Sequence, residues 1–120
     1  MKIVITSNGN TLESEVDQRF GRAAGFMVYD TQSGEFHWAS NDQNLNAAQG
    51  AGIQAAETVS RMGADCVITG HCGPKAFRTL SAAGIQVITG AQGTVGHVIA
   101  EFKAGRLQPS GNPDVEGHWT

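Results

Sequence analysis

A chain of 120 residues with a net charge of −3 and a pI near 5.7 is long enough for one domain with its own core, and it lacks the basic balance of a general nucleic-acid binder. Its two cysteines, one expected in a strand and one in a loop, do not make a disulfide framework, and no apolar run reaches membrane length. Lys2 is followed at once by a short strand and not by a leader segment, so a cytoplasmic domain is expected, with neither nucleic acid nor membrane among its partners.

Lys2 to Thr6 is a continuous apolar run ending in Ser7-Asn8-Gly9-Asn10, the pattern of a buried strand and a turn. Thr11 to Gly25 has no clean period, and Arg19-Phe20-Gly21-Arg22 stands out within it. Two arginines around an aromatic and a glycine suit a clasp for an anion. They suit equally two solvated charges flanking one buried Phe20. Gly25 to Asp30 and Glu35 to Ser40 carry apolar residues at alternate positions (Phe26, Val28; Phe36, Trp38), and the short link Thr31 to Gly34 predicts a β-hairpin. His37 alternates with Phe36 and Trp38 and reads as part of an exposed polar face. Asn41 to Gln49 is polar and reads as a loop.

Gly50-Ala51-Gly52 opens a helix whose apolar stripe is Ile53, Ala56 and Val59, with Ala55 and Met62. Its glycines suit an anion nest at a helix start, or only close helix packing. The richest stretch follows, Asp65 to Phe77: the apolar run Cys66-Val67-Ile68 ends at Gly70, and Pro74 stands where a first helical turn begins. Strand, tight loop and helix are predicted. The loop brings the His71 imidazole, the Cys72 thiol and the amides of a helix start at Gly73 within a few residues, with Lys75 and Arg78 just inside the helix, a set suited to an anionic or soft-metal ligand. Cys66, mid-strand, reads as a structural buried thiol.

Val67-Ile68-Thr69-Gly70 recurs as Val87-Ile88-Thr89-Gly90, and each copy follows a helix-ending glycine, Gly63 and Gly84. Two successive β-loop-α units with right-handed crossovers bring both loops out at one end of a parallel sheet, where ligands of open α/β sheets bind. The second helix buries Phe77 and Leu80. In the third, Thr94 caps, Val95, Val98, Ile99 and Phe102 form the stripe, Lys103 sits in the last turn and Gly105 ends it; His97 falls on the surface. Residues 1–107 read as one domain and Gln108 to Thr120 as an extended tail with His118-Trp119 near its end.

The predicted order is β-β-β-α-β-α-β-α: an α/β fold with a five-stranded mixed sheet and helices on its faces, in the manner of the ribonuclease H-like motif. A metal-dependent nuclease needs carboxylates clustered around two cations, and the first strand offers none. Asp30 and Asp65 stand at strand ends, where turn or capping roles suffice.

Arg19-Phe20-Gly21-Arg22-Ala23, the Gly50-Ala51-Gly52 opening, Ile68 to Phe77, the Ala83-Gly84-Ile85 junction and Gly117-His118-Trp119, in that order, resemble the dinitrogenase iron-molybdenum cofactor biosynthesis family, the nitrogenase accessory factors, to which the molybdenum-copper orange protein is related. The resemblance implies a small non-enzymatic protein that binds or carries an anionic metal-sulfur cluster, of Mo-Fe-S or Mo-Cu-S type, and that passes it between donor and acceptor proteins.

A thiomolybdate-type cluster is anionic with soft sulfides outside, so it calls for positive potential without strong competing ligands. Arg19, Arg22, Lys75 and the backbone at Gly21, Gly50, Gly52 and Gly73 would supply that. Two ways of holding the metal stay open: ligation by His71 or Cys72, or a hold by charge and apolar contact alone, with Met27 as a soft contact if it faces the crevice. The alternatives are a phosphate or nucleotide-type small-anion module on the same helix starts, and a simple zinc site from His71, Cys72 and His118.

Overall fold

A computed structural model describes residues 1–42 and 50–110. Its elements follow the predicted order: β1 (Lys2–Ser7), β2 (Gly25–Asp30), β3 (Phe36–Ser40), α1 (Ala51–Arg61), β4 (Cys66–Ile68), α2 (Pro74–Ala82), β5 (Gln86–Ile88) and α3 (Val95–Lys103). They form one five-stranded sheet in the order β3-β2-β1-β4-β5. β1 is parallel to β4 and β4 to β5, whereas β2 runs antiparallel to both β1 and β3. This is the mixed sheet of a ribonuclease H-like α/β domain.

The sheet is covered on both faces, which is why β1 reads as an unbroken apolar run: Ile3, Val4 and Ile5 are all fully buried. Val4, Phe26, Val28, Val67 and Val87 point to the side of α1 and α2, where Ala55, Ala56, Val59, Ala76 and Leu80 meet them. Ile3, Ile5, Met27, Cys66, Ile68 and Ile88 point to the other side, under Val95, Val98 and Ile99 of α3. Each fully buried Ile, Leu or Val here contributes roughly 1.5–3 kcal/mol to folding. Gly63 (φ 79°) and Gly84 (φ 78°) end α1 and α2 in the left-handed region, as the repeated glycine signal predicts. Asp30 accepts from the amides of Gln32 and Ser33, and these bonds hold its carboxyl below the usual range; Asp65 accepts from the Lys2 amide at 2.7 Å. Both acids are turn and strand-end residues.

The structure places three side chains that the sequence pattern alone leaves open or misplaces. Ile53 lies half-exposed, and α1 instead buries Ala51, Gly52, Ala55, Ala56 and Val59, because the neighbouring backbone comes too close for a larger stripe. Met27 is fully buried beneath α3, on the face away from the Arg19 loop, so it touches no crevice ligand. The residues pairing with β3 place Phe36 opposite Tyr29 and Trp38 opposite Met27, yet Phe36 is 44% exposed, because it sits at the end of an edge strand. His37 is exposed, as its alternation implied.

The tail returns along β5: Ser110 donates its amide to the Val87 carbonyl at 2.7 Å and its hydroxyl lies 2.8 Å from that of Thr89. Residues 111–120, with His118 and Trp119, and residues 43–49, within the stretch expected as a loop, lie outside the described residues. No helix among the described residues is long and apolar enough to cross a membrane.

Candidate functional site

The parallel strands β1, β4 and β5 end at one edge of the sheet. Because β2 is antiparallel, its first residue, Gly25, pairs with Ser7 at that same edge, and Ser40 at the end of β3 pairs with Gly25. The segment leading into β2, residues 17–24, therefore lies across the ends of the parallel strands. From β1 the chain leaves toward β2, and from β4 it leaves toward β5. Such a divergence opens a crevice between adjacent parallel strands.

In that crevice Arg19 and His71 form an isolated parallel bridge. The Phe20 amide donates to the His71 carbonyl at 3.1 Å, and the His71 amide donates to the Gln18 carbonyl at 2.7 Å. A Cβ on Gly70 would stand 2.7 Å from Gln18 Cα, so the glycine before His71 is what lets the two loops run side by side. Phe20 turns inward, 2% exposed, with its ring 6.1 Å from that of Phe26. It anchors the loop and leaves Arg19 exposed and Arg22 half-exposed on either side.

The next contact brings in α1. A Cβ on Gly21 would stand 2.7 Å from both Cα and N of Gly52. The arginine loop thus rests on the first turn of α1, whose start at Gly50 is left-handed (φ 77°) and carries no side-chain cap. α2 begins at Gly73 and Pro74, also without a side-chain cap, and neither helix has an acidic residue in its first turn. The amides of Ala51, Gly52 and Ile53 in α1, and of Lys75 and Ala76 in α2, make no hydrogen bond among the described residues. α3 differs: Val95 donates to Ser14, Gly96 to Leu12, and His97 to the Thr94 hydroxyl. Of the three helix starts at this edge, the two beside the arginine loop present open donors and positive dipole ends.

His71 is half-buried beside Arg19, whereas Cys72 is 1% exposed and packs in the core beneath α1 and α2. The loop leaves His71 partly exposed and turns the Cys72 thiol inward. Lys75 is exposed on α2 and makes no hydrogen bond or ion pair with the arginine loop. Cys66 is buried in β4, and burial, with a smaller push from Asp65, raises its thiol to about 11, which suits an inert core residue.

Three further residues with a part in this geometry are not among those that the sequence patterns single out. Asp17 accepts from the amides of Arg19 and Ala24, both at 3.2 Å, bracing the arginine loop from within. Its own carbonyl takes the Thr6 hydroxyl at 2.7 Å, which ties the loop to β1. Gln18 Nε2 donates to the Ala91 carbonyl at 3.1 Å and so joins the loop after β5. Asn41, fully buried, donates through Nδ2 to the carbonyls of Gly21 at 3.2 Å and Ala23 at 2.9 Å. Asp17 had a weak signal, an Asp two residues before a turn amide; Asn41 was one polar residue among many.

A separate cavity of about 250 Å³ lies between the loop after β5, α3 and Arg106. Its charges are paired among themselves: Glu101 lies 3.0 Å from Arg106 and 3.5 Å from His97. The Glu101 carboxylate in its lining makes it poorly suited to an anion. Among the described residues no group of three or more His, Cys, Asp or Glu comes together as a metal cage.

Fold and crevice together define a class, a ribonuclease H-like domain with a basic, amide-lined crevice at the carboxyl edge of its parallel strands. The family model described as dinitrogenase iron-molybdenum cofactor matches residues 1–105, and the chain belongs to that family. It is similar to the orange protein of Desulfovibrio gigas, whose apo structure has a TM-score of 0.93 at 37% identity, covering 95% of this chain and 96% of that one. An NMR structure of a Thermotoga protein of the DUF35 family, described as a candidate NifB protein, has a TM-score of 0.78 at 36% identity, covering 90% of this chain and 91% of that one. An uncharacterized protein of Methanocaldococcus jannaschii is 28% identical over 110 residues, 90% of each chain.

Proposed function

We propose that the chain is a non-catalytic binding or carrier protein for an anionic metal-sulfur cluster of Mo-Fe-S or Mo-Cu-S type. One observation carries the reading. The Arg19–His71 bridge and the Gly21–Gly52 contact hold two arginines beside a pair of uncapped helix starts with open amides. Family membership and the likeness to the orange protein support it.

In this reading the cluster is cargo. Arg19, Arg22 and Lys75 supply charge, and the first-turn amides around Gly52 and beyond Gly73 supply directed donors. Gly21 and Gly50 allow the backbone to approach. His71 is the side chain placed to meet the cluster. Cys72, turned into the core, supports the loop, and the hold is chiefly electrostatic. A carrier of this kind receives its cluster from one protein and yields it to another, which favours charge and amides over strong thiolate ligation.

The test is anaerobic loading with tetrathiomolybdate and copper, followed by desalting, an ultraviolet-visible spectrum and elemental analysis for Mo, Cu, Fe and Zn. Charge-transfer bands with stoichiometric metal retained are expected. A colourless, metal-free protein that instead retains inorganic phosphate would replace the cluster reading with the small-anion one, and stoichiometric zinc in the isolated protein would favour a simple zinc site.

A further inference from the structure

Arg22 sits between two carbonyls that point to the same place. The residue before it, Gly21, and the residue after it, Ala23, both direct their oxygens to Nδ2 of Asn41, at 3.2 and 2.9 Å. Asn41 is fully buried, and its own amide donates to the Ala24 carbonyl at 3.1 Å. We propose that Asn41 is a positioning residue, which fixes the backbone on both sides of Arg22 and so aims the arginine loop into the crevice before any ligand arrives. The inference rests on the reading of that crevice as an anion site.

The chemistry explains the residue type. A primary amide offers two donors on a short stem and matches two converging carbonyls; a serine has one proton to give, and an ionised aspartate would set a carboxylate against both oxygens. A peptide group is planar and trans, so turning the Gly21 and Ala23 carbonyls inward turns the Arg22 and Ala24 amides the other way. The Ala24 amide meets Asp17 Oδ2 at 3.2 Å. The loop is thereby braced from β1 through Asp17 and from the end of β3 through Asn41. Such bracing lowers the ordering cost of binding, because the charged groups are placed in advance.

The experiment compares the wild type with Asn41→Asp, which keeps the volume and removes the donors, and with Asn41→Ala. Amide hydrogen exchange is measured on the ligand-free proteins, and affinity for tetrathiomolybdate with copper is measured well below each unfolding midpoint. In both variants protection at Phe20 and Ala24 is expected to fall at least about 10-fold while Val4 and Val67 hold theirs, and the dissociation constant to rise by about 10-fold or more, the scale of leaving buried carbonyls unpaired. A residue that only filled space would lower the unfolding midpoint and leave affinity and loop exchange alone, and that result would overturn the proposal. If both variants fail to fold, the wild type still decides: the Asn41 side-chain amide protons must exchange slowly, and exchange at the rate of a free asparagine would reject the role. A wild type that retains no probe would count against the cluster reading, and the exchange comparison would still judge Asn41.

Discussion

Gly21 and Gly52 meet backbone to backbone. A methyl group on Gly21 would stand 2.7 Å from Gly52 Cα, closer than side chains approach anything. This contact sets how near the arginines come to the open amides of α1, so the two glycines determine the width of the crevice although neither carries a functional group.

Gly21→Ala is therefore expected to force the loop off α1. Overpacking of this kind costs about 1–3 kcal/mol, seen as a lower urea midpoint, and cluster retention should fall with it. Gly50→Ala meets open space and is strained only by its φ of 77°; it should cost roughly 1–2 kcal/mol.

Charge reversal tests the electrostatic hold. Arg19→Glu with Arg22→Glu is expected to weaken tetrathiomolybdate retention on the order of 10- to 100-fold, matching the loss of ~1.5–3 kcal/mol for a hydrogen bond to a charged group. Because Arg19 is exposed, wild-type affinity should also fall as salt rises. Unchanged retention by the double variant would remove the arginine loop from the site.

The neighbours His71 and Cys72 should behave differently. Cys72→Ala deletes a group that is 1% exposed in the core and is expected to lower stability by about 1 kcal/mol with affinity largely retained. His71→Ala is expected to lower affinity by clearly more than Cys72→Ala does. Metal retention lost in Cys72→Ala at unchanged stability would identify the thiol as a ligand.

Cys66 gives a pH dependence with a definite sign. Its folded-state thiol is raised from 9.0 to about 11, so the unfolded chain releases this proton first as pH rises. The contribution is fully present below pH 9 and is lost between pH 9 and about 11. Denaturant midpoints of the wild type should drop across that window more than those of Cys66→Ala; equal drops would show that the thiol is not held neutral.

The element order, the shared sheet edge and the helix-ending glycines were legible because each is written locally, in apolar period, in a repeated Val-Ile-Thr-Gly and in the conformational needs of Gly63 and Gly84. The stripe of α1 departs from the periodic pattern at Ile53 because periodicity does not report how close the next backbone comes; the clue is the small residues Gly50, Ala51, Gly52, Ala55 and Ala56 on either side of it. Met27 could not be assigned a face, since both faces of β2 are apolar and its pairing with Ile5 is a long-range fact. Asn41 was hidden for a related reason. Its partners lie about twenty residues earlier in the chain, and nothing local separates a buried amide from a solvated one.

The most direct test of the crevice is a comparison of amide NMR spectra of the protein before and after loading with tetrathiomolybdate and copper. The largest shifts are expected at Arg19 to Ala23, Ala51 to Ile53, His71 and Lys75 to Ala76, with the Thr31 to Gly34 turn at the far end of the sheet unmoved. Shifts centred on that turn, or on His97 and Arg106 around the separate cavity, would contradict the account.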